Sequence, residues 1–380
     1  MGIRSQTPPL SELSDSASPN RMIVFFPTYA RRIPGEQRWR ATVAGMVSRP
    51  LPVKSRRRTM AMAVLKRLLD LSESQLASDI FKRRADAFLF QRVAGQPVQI
   101  LIGGQLCNAG HTDRVGHFQM TVDLEDAAID SMSHTCGPDC RWISYAAVLD
   151  EHGIDTAEAG LSERSDASKP VHGGCIQVIG ERGLSVISDI DDTVKVTNVA
   201  NRKELLANTL VREFYAVPGM TELYRRWQEM GTAFHYVSAS PWQLANCLHG
   251  FLSDAGLPAG SLHLKLFRLK DSTPLGRLPS RKRSKRRTIE QIMADFPGRT
   301  FLLVGDSGER DPELYAAIAK RNPRQVAGVA IRQVDGKPPR EKVRSRLDRL
   351  ARRLPDGTMQ IFTVPTELID VTTPMAPSPP

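Results

Sequence analysis

The chain reads as an α/β protein: a doubly wound parallel sheet with a small cap, preceded by a β-rich, sandwich-like domain. Three observations predict this. Residues 181–371 alternate short apolar runs, near 184–188, 233–238, 262–267, 300–304 and 326–331, with helical patterns at Met220 to Met230, Trp242 to Ser253 and Lys285 to Phe296. Continuous apolar runs of that length suit strands covered on both faces, and strands alternating with helices build a parallel sheet. Three of the runs end abruptly in reactive side chains, at Asp189, Ser238 and Asp306. In open α/β sheets, chemistry sits just beyond the carboxyl ends of the strands. Residues 21–180 instead carry short strand patterns between turn residues, at Trp39 to Val47, Phe88 to Phe90, Val98 to Gly103 and Gly116 to Val122.

Taken in order, residues 1–20 are polar and rich in Ser and Pro, which predicts a disordered tail. They hold no signal-peptide apolar core, and Gln6 stands where N-myristoylation needs Ser or Thr. Residues 21–180 form the β-rich domain. One helical segment, Arg56 to Leu71, lies within it, with Ala61, Val64, Leu65, Leu68 and Leu71 on one face. That stripe either packs on its own domain or, with Lys54 and Arg56-Arg57-Arg58 beside it, lies on an anionic membrane. Residues 181–371 are the catalytic domain, and 372–380 a second disordered tail. Between Asp189 and Ser238 there is room for little beyond two helices and a loop. A cap of that size leaves the site open to a large substrate.

The stretch Ser188-Asp189-Ile190-Asp191-Asp192-Thr193 places three carboxylates at one strand end. Such groups raise one another's pKa unless a cation neutralises them. Mg²⁺ takes oxygen ligands and is commonly held by a few carboxylates plus substrate phosphate oxygens. An aspartate so placed can attack phosphorus.

The order of the motifs resembles the haloacid dehalogenase superfamily of aspartyl-phosphate phosphotransferases. Asp189 to Thr193 matches its Asp-x-Asp-x-Thr motif, Ser238 its strand-end hydroxyl, Lys285 (with Lys282 as runner-up) its lysine near a helix start, and Gly305-Asp306 with Asp311 its acidic fourth motif. The finer wording, Ser-Asp-Ile-Asp-Asp-Thr-Val-Lys, Val-Ser-Ala-Ser-Pro-Trp-Gln-Leu and Gly-Asp-Ser-Gly-Glu-Arg-Asp-Pro-Glu, is similar to the actin-patch-protein type of Mg²⁺-dependent phosphatidate phosphatases, distant relatives of lipins. Segments Val24 to Ala30 and Thr112 to Phe118 resemble stretches ahead of that family's catalytic domain. The resemblance implies a haloacid-dehalogenase-like fold and hydrolysis of phosphatidate to diacylglycerol. It implies Asp189 as nucleophile and Asp191 as general acid, then base. Asp189, the backbone carbonyl of Asp191, Asp306 and Asp311 would serve Mg²⁺. Ser238 and Lys285 would hydrogen-bond the phosphoryl oxygens, with Thr193, Arg283 and Arg286 as further substrate contacts. Asp192 is expected to turn away and cap the following loop.

The net charge of +11 points to an anionic partner. From Lys265 to Arg287 there are ten Lys or Arg against one acid, Asp271, beside the expected site mouth. Such a cluster suits phosphatidate or another anionic phospholipid at a membrane surface. Nucleic acid is a weaker candidate, and no obligate protein partner is implied. No apolar run reaches the ~18 residues of a membrane span, so the expectation is a cytoplasmic protein, at most peripherally bound. Five cysteines, an odd number, argue against a disulfide scaffold. Cys136 and Cys140, with His134, invite a zinc reading that would need a second ligand pair. Rival functions are a phosphatase of nucleic-acid ends or soluble metabolites, and a non-catalytic lipid-binding module. The presence of Asp191 speaks against the last. No Gly-x₄-Gly-Lys-Ser/Thr pattern is present, which counts against an NTP-hydrolysing enzyme.

Overall fold

The computed structural model describes residues 21–52, 54–69, 72–137, 140–149, 171–198, 202–265, 281–334 and 340–372. Both expected tails, apart from Thr372, lie outside these, as does 266–280 of the basic segment. Contacts divide the chain into two units, one of residues 1–59, 89–136 and 140–179, the other of 60–88, 137–139 and 180–380.

The first unit holds strands β1 (Met22–Phe25), β2 (Thr28–Arg32), β3 (Arg38–Pro50), β4 (Phe90–Arg92), β5 (Pro97–Ile102), β6 (Gln105–His111), β7 (His117–Glu125), β8 (Ser133–Gly137), β9 (Cys140–Leu149) and β10 (Val171–Ile179). Hydrogen bonding joins all ten into one sheet, where the sequence suggested a sandwich. The 13-residue β3 makes this possible, because it pairs with β2 and β1 along one edge and with β7 and β4 along the other. Alternate residues of the strands, among them Ala41, Val43, Val98, Ile100, Ile143 and Ile176, form its core.

The helices are α1 (Arg56–Leu69), α2 (Glu73–Ala77), α3 (Asp79–Asp86), α4 (Asp126–Met132), α5 (Arg202–Leu210), α6 (Met220–Glu229), α7 (Ala245–Asp254), α8 (Arg281–Asp295), α9 (Asp311–Arg321) and α10 (Arg340–Ala351). Residues 60–88 were expected inside the N-terminal domain, but they fold with the second unit. Arg84 of α3 shows why. Its buried guanidinium donates to the carbonyls of Thr209 (3.1 Å) and Arg212 (2.5 Å) and lies 3.6 Å from the centre of the Phe214 ring. The side chains of Ala61, Val64, Leu65 and Leu68, and residue 71, lie outside the described residues.

The second unit is built on six parallel strands: β11 (Gly183–Ser188), β12 (Ala233–Pro241), β13 (Ser261–Lys265), β14 (Arg299–Asp306), β15 (Val326–Arg332) and β16 (Met359–Phe362). Their order is β13-β12-β11-β14-β15-β16. The chain starts at β11, winds outward through β12 and β13, then returns to β14 and winds the other way. The winding reverses between neighbours β11 and β14, and such a switch point opens a crevice at the carboxyl ends. The apolar runs are strands because both faces are covered: Val186, Ile187, Phe301 and Leu303 are fully buried. The expected parallel α/β sheet is present, extended by β16 and α10, which the sequence reading had not included.

Candidate active site

Asp189, Ser238 and Asp306 stand at the carboxyl ends of three adjacent strands, β11, β12 and β14. Asp189 continues the ladder by one bond, its amide donating to Val304 O (2.9 Å). Gly305 precedes Asp306 because no side chain fits there. A Cβ on it would meet the Tyr315 ring at 2.7 Å and Asp311 Oδ2 at 2.8 Å.

Asp189, Asp306 and Asp311 are all buried, with carboxylate oxygens within 4.8 Å of one another. Lys285 of α8 is the cation among them. Its Nζ donates to Asp189 Oδ1 (2.7 Å) and to Asp311 Oδ1 (2.9 Å) and Oδ2 (2.7 Å). Asp311 opens α9, and its side chain is turned to Lys285. Asp306 Oδ1 accepts the amides of Gly308 (2.5 Å) and Glu309 (3.2 Å), while its Oδ2 is buried without a hydrogen-bond partner. Burial pushes the Asp189 carboxyl well above the usual carboxylate range against the pull of Lys285, and the charges of Asp311, Asp306 and Asp191 push it further. Burial and the Asp311 charge do the same to Asp306. For Lys285, burial works against the charge, but Asp189 and Asp311 outweigh it and hold its pKa well above normal.

Two of the three carboxylates, Asp189 and Asp311, share one lysine, and an oxygen of the third, Asp306 Oδ2, is buried with no protein donor. This all-oxygen donor set suits a hard divalent cation such as Mg²⁺. Asp191 does not contribute its carboxylate to this group; the sequence reading assigned only its backbone carbonyl there.

The Asp191 side chain belongs to a second network. Oδ1 faces Lys195 Nζ (2.9 Å) and accepts from Thr197 Oγ1 (2.8 Å). Oδ2 accepts from Ser238 Oγ (3.1 Å) and Ser240 Oγ (2.7 Å). Burial would raise its pKa, but the Lys195 charge and the bonds from Ser240, Lys195 and Thr197 overcome it and bring the group down to about 2. Lys195 is itself buried, bonds Thr197 Oγ1 (2.5 Å) and sits 4.8 Å from the centre of the Phe214 ring. Asp192 caps the loop as expected. It adopts φ 55°, and its Oδ1 accepts the amides of Thr197 (2.8 Å) and Asn198 (2.7 Å). Asp tolerates that left-handed backbone better than most residues.

The remaining expected residues divide. Thr193 is buried, with its hydroxyl 3.4 Å from Asp189 Oδ2. Ser238 and Lys285 line a small pocket with Lys265, Ser284 and Thr288. Arg286 was expected at the substrate, but its Nε donates to Glu290 (2.8 Å) one turn along α8. The side chains of Lys282 and Arg283 lie outside the described residues. Lys195, Thr197 and Ser240 were not anticipated as site residues. The available signal was Lys195 four positions after Asp191. The zinc reading loses its thiol, because Cys140 is disulfide-bonded. Cys107, Cys175 and Cys247 are free, and among the described residues the one group of potential metal ligands is the aspartate cluster.

With this geometry in view, the relatives are informative. Residues 184–333 match the family described as the catalytic domain of phosphatidate phosphatase APP1. The resemblance read in the sequence therefore holds, over the segment that carries Asp189, Ser238, Lys285 and Asp306. The phosphatidate phosphatase APP1 of Saccharomyces cerevisiae is 26% identical over 265 residues, 67% of this chain and 40% of that protein. A Schizosaccharomyces pombe protein described as uncharacterized is 32% identical over 163 residues, 42% of this chain and 26% of its own. The chain thus spans less than half the length of these relatives. Among solved structures, a Parabacteroides merdae β-glucuronidase aligns with a TM-score of 0.27 and 8% identity, covering 83% of this chain and 34% of its own, too low to establish a shared fold. Among the described residues no helix is long and apolar enough to cross a membrane.

Proposed function

We propose that this chain is a Mg²⁺-dependent phosphatidate phosphatase that works through an aspartyl-phosphate on a haloacid-dehalogenase-like sheet. The observation that carries the reading is the buried group Asp189–Lys285–Asp311–Asp306 at the β11/β14 switch point, inside the segment that matches the APP1 catalytic domain.

Lys285 fixes Asp189 Oδ1, which leaves Oδ2 to attack phosphorus as the ester P–O bond breaks. Asp191 delivers a proton to the departing diacylglycerol oxygen. Water then attacks the phosphorus of the acyl phosphate, Asp191 takes its proton, and Asp189 is released with inorganic phosphate. Asp191 is ionised in the arrangement described, so it is set for the base step. A phosphate dianion alongside it raises its pKa, so that Asp191 takes up a proton from solvent as substrate binds and gives it to the leaving oxygen in the acid step. Mg²⁺ held by Asp189, Asp306 and Asp311 would offset the repulsion between carboxylate and phosphate. Ser238 and Lys285, lining the pocket with Lys265 and Thr288, are placed to hold phosphoryl oxygens. The test is phosphate release from phosphatidate, lysophosphatidate, a phosphopeptide and a DNA end, with and without Mg²⁺. The proposal expects phosphatidate to be turned over fastest and only with the metal. A preference for the DNA end or the peptide would replace the substrate.

A further inference from the structure

Resting on that reading, we infer that Lys195 is the positioning residue of the acid/base: with Thr197 it pins Asp191 Oδ1, so that Oδ2 is the oxygen that carries the proton. An aspartate carboxyl turns in a broad, two-fold torsional well, so its own rotamer does not select the oxygen that faces a substrate. Its partners select it. Lys195 Nζ stands 2.9 Å from Oδ1, and Thr197 Oγ1 donates to the same oxygen at 2.8 Å. Lys195 is 2% exposed and Thr197 0%. Oδ2 instead accepts from Ser238 Oγ (3.1 Å) and Ser240 Oγ (2.7 Å), and Ser240 is half-buried. The two sides differ in what release costs. Breaking a buried ion pair strands an ammonium, whereas a serine hydroxyl rotates to a new acceptor. The lysine side is therefore the anchor and the serine side the one that exchanges. Ser238 also lines the pocket with Lys285, so the exchangeable oxygen is the one on the phosphoryl side.

Lys195 is itself held along its whole length. Its backbone is tied to the strand end: Lys195 N donates to Ile190 O (2.9 Å), and Lys195 O accepts from Asp192 N (2.7 Å). Its Nζ donates to Thr197 Oγ1 (2.5 Å), which in turn donates to Asp191 Oδ1, so the three side chains close a ring of polar contacts. The ammonium also lies 4.8 Å from the centre of the Phe214 ring. That ring is fixed by the Arg84 guanidinium (3.6 Å) and meets Phe251 edge-on at 5.8 Å. Cations set over an aromatic face are attracted to it. Held in this way, Asp191 offers Oδ2 in one orientation, and orientation is what makes proton transfer to a bound ester effective. Lys285 bonds Asp189 and Asp311 instead, so each aspartate of the reaction has its own lysine.

The experiment measures kcat/KM of the full chain, with saturating Mg²⁺, on a short-chain phosphatidate and on nitrophenyl phosphate. The first needs a proton on its leaving oxygen and the second does not, and kcat/KM reports the steps up to release of that alcohol. Lys195→Met keeps the stem and removes the ammonium. It is expected to lose about tenfold or more on the phosphatidate and about threefold or less on nitrophenyl phosphate. Should Lys195→Met fail to fold, Thr197→Val and Thr197→Ser carry the test. Valine removes the hydroxyl that joins Lys195 to Asp191, so Thr197→Val should show the same selective loss in smaller measure. Serine keeps the hydroxyl, so Thr197→Ser should restore the parent's ratio. Equal losses on the two substrates, or no loss on either, in the variants that fold would overturn the inference and leave Lys195 a structural counter-charge. A parent protein that releases phosphate from neither substrate would refute the phosphatase reading, and the inference with it.

Discussion

Asp189 and Asp191 lie two residues apart at the same strand end and are both buried, yet they are driven in opposite directions. Burial alone would raise both pKa values. Asp189 shares one lysine with Asp311 and stands within reach of Asp306, so it rises. Asp191 has Lys195 and three hydroxyl donors, Thr197, Ser238 and Ser240, so it falls to about 2. The partner set, not depth, divides the two. One carboxylate sits in a group with surplus negative charge, which a cation relieves. The other sits in a neutralised network that fixes its orientation.

The largest effect should come from the crowded group. Asp189→Asn keeps the shape and removes the attacking oxygen, so phosphate release should fall by about 10³-fold or more while the circular dichroism spectrum is retained. Near-normal release with saturating Mg²⁺ would move the nucleophile elsewhere. Asp191→Asn should cost about 10²- to 10⁴-fold on alkyl phosphates and markedly less on an aryl phosphate, whose leaving group needs no proton. Equal losses would make Asp191 a structural residue. The same change strands Lys195, which is buried, so denaturant unfolding should show a stability loss of about 3–5 kcal/mol.

pH and metal separate the networks next. The depressed Asp191 pKa contributes roughly 2 kcal/mol of stability above its unfolded value. That share is present above about pH 4 and is lost as pH falls toward 2. Asp189 and Asp306 have raised values, so their share runs the other way: it is present at acid pH and lost as pH rises through their folded values. Mg²⁺ should therefore raise the melting temperature at neutral pH and do so progressively less on acidification, and Asp306→Ala should abolish the rise. A melting temperature indifferent to Mg²⁺ at neutral pH would remove the cation from the account. The smallest effect is expected for Ser240→Ala. Asp191 Oδ2 keeps Ser238, so stability should fall by only about 1 kcal/mol.

Much of the crowded group was legible in the sequence, and little of the neutralised one. Asp189, Ser238 and Asp306 end apolar runs, and strand periodicity alone puts them on one sheet edge. Lys285 was legible at the start of a helix, although its pairing with both Asp189 and Asp311 was not, because that depends on where α8 and α9 pack. Ser240 reaches Asp191 from the end of β12, two residues beyond Ser238. Lys195 and Thr197 lie in an irregular segment and reach Asp191 only because the chain reverses at Asp192, where a non-glycine residue takes a left-handed backbone. No period or spacing rule encodes that reversal. In the first unit, β9 is hard to read because Cys140, which opens it, forms a metal-like motif with Cys136 and His134, and β10 because Gly173-Gly174 interrupts its pattern. Residues 60–88 were assigned by chain order, whereas Arg84 places them by contact with Thr209, Arg212 and Phe214.

The central claim, that Asp189 carries the phosphoryl group while Asp191 moves protons, is tested most directly by acid-quenching the enzyme during turnover of phosphatidate labelled at phosphorus. The account predicts base-labile label on a peptide containing Asp189 in the parent protein and none in Asp189→Asn. Phosphate release that proceeds at an undiminished rate in Asp189→Asn, with no label on any variant, would contradict it.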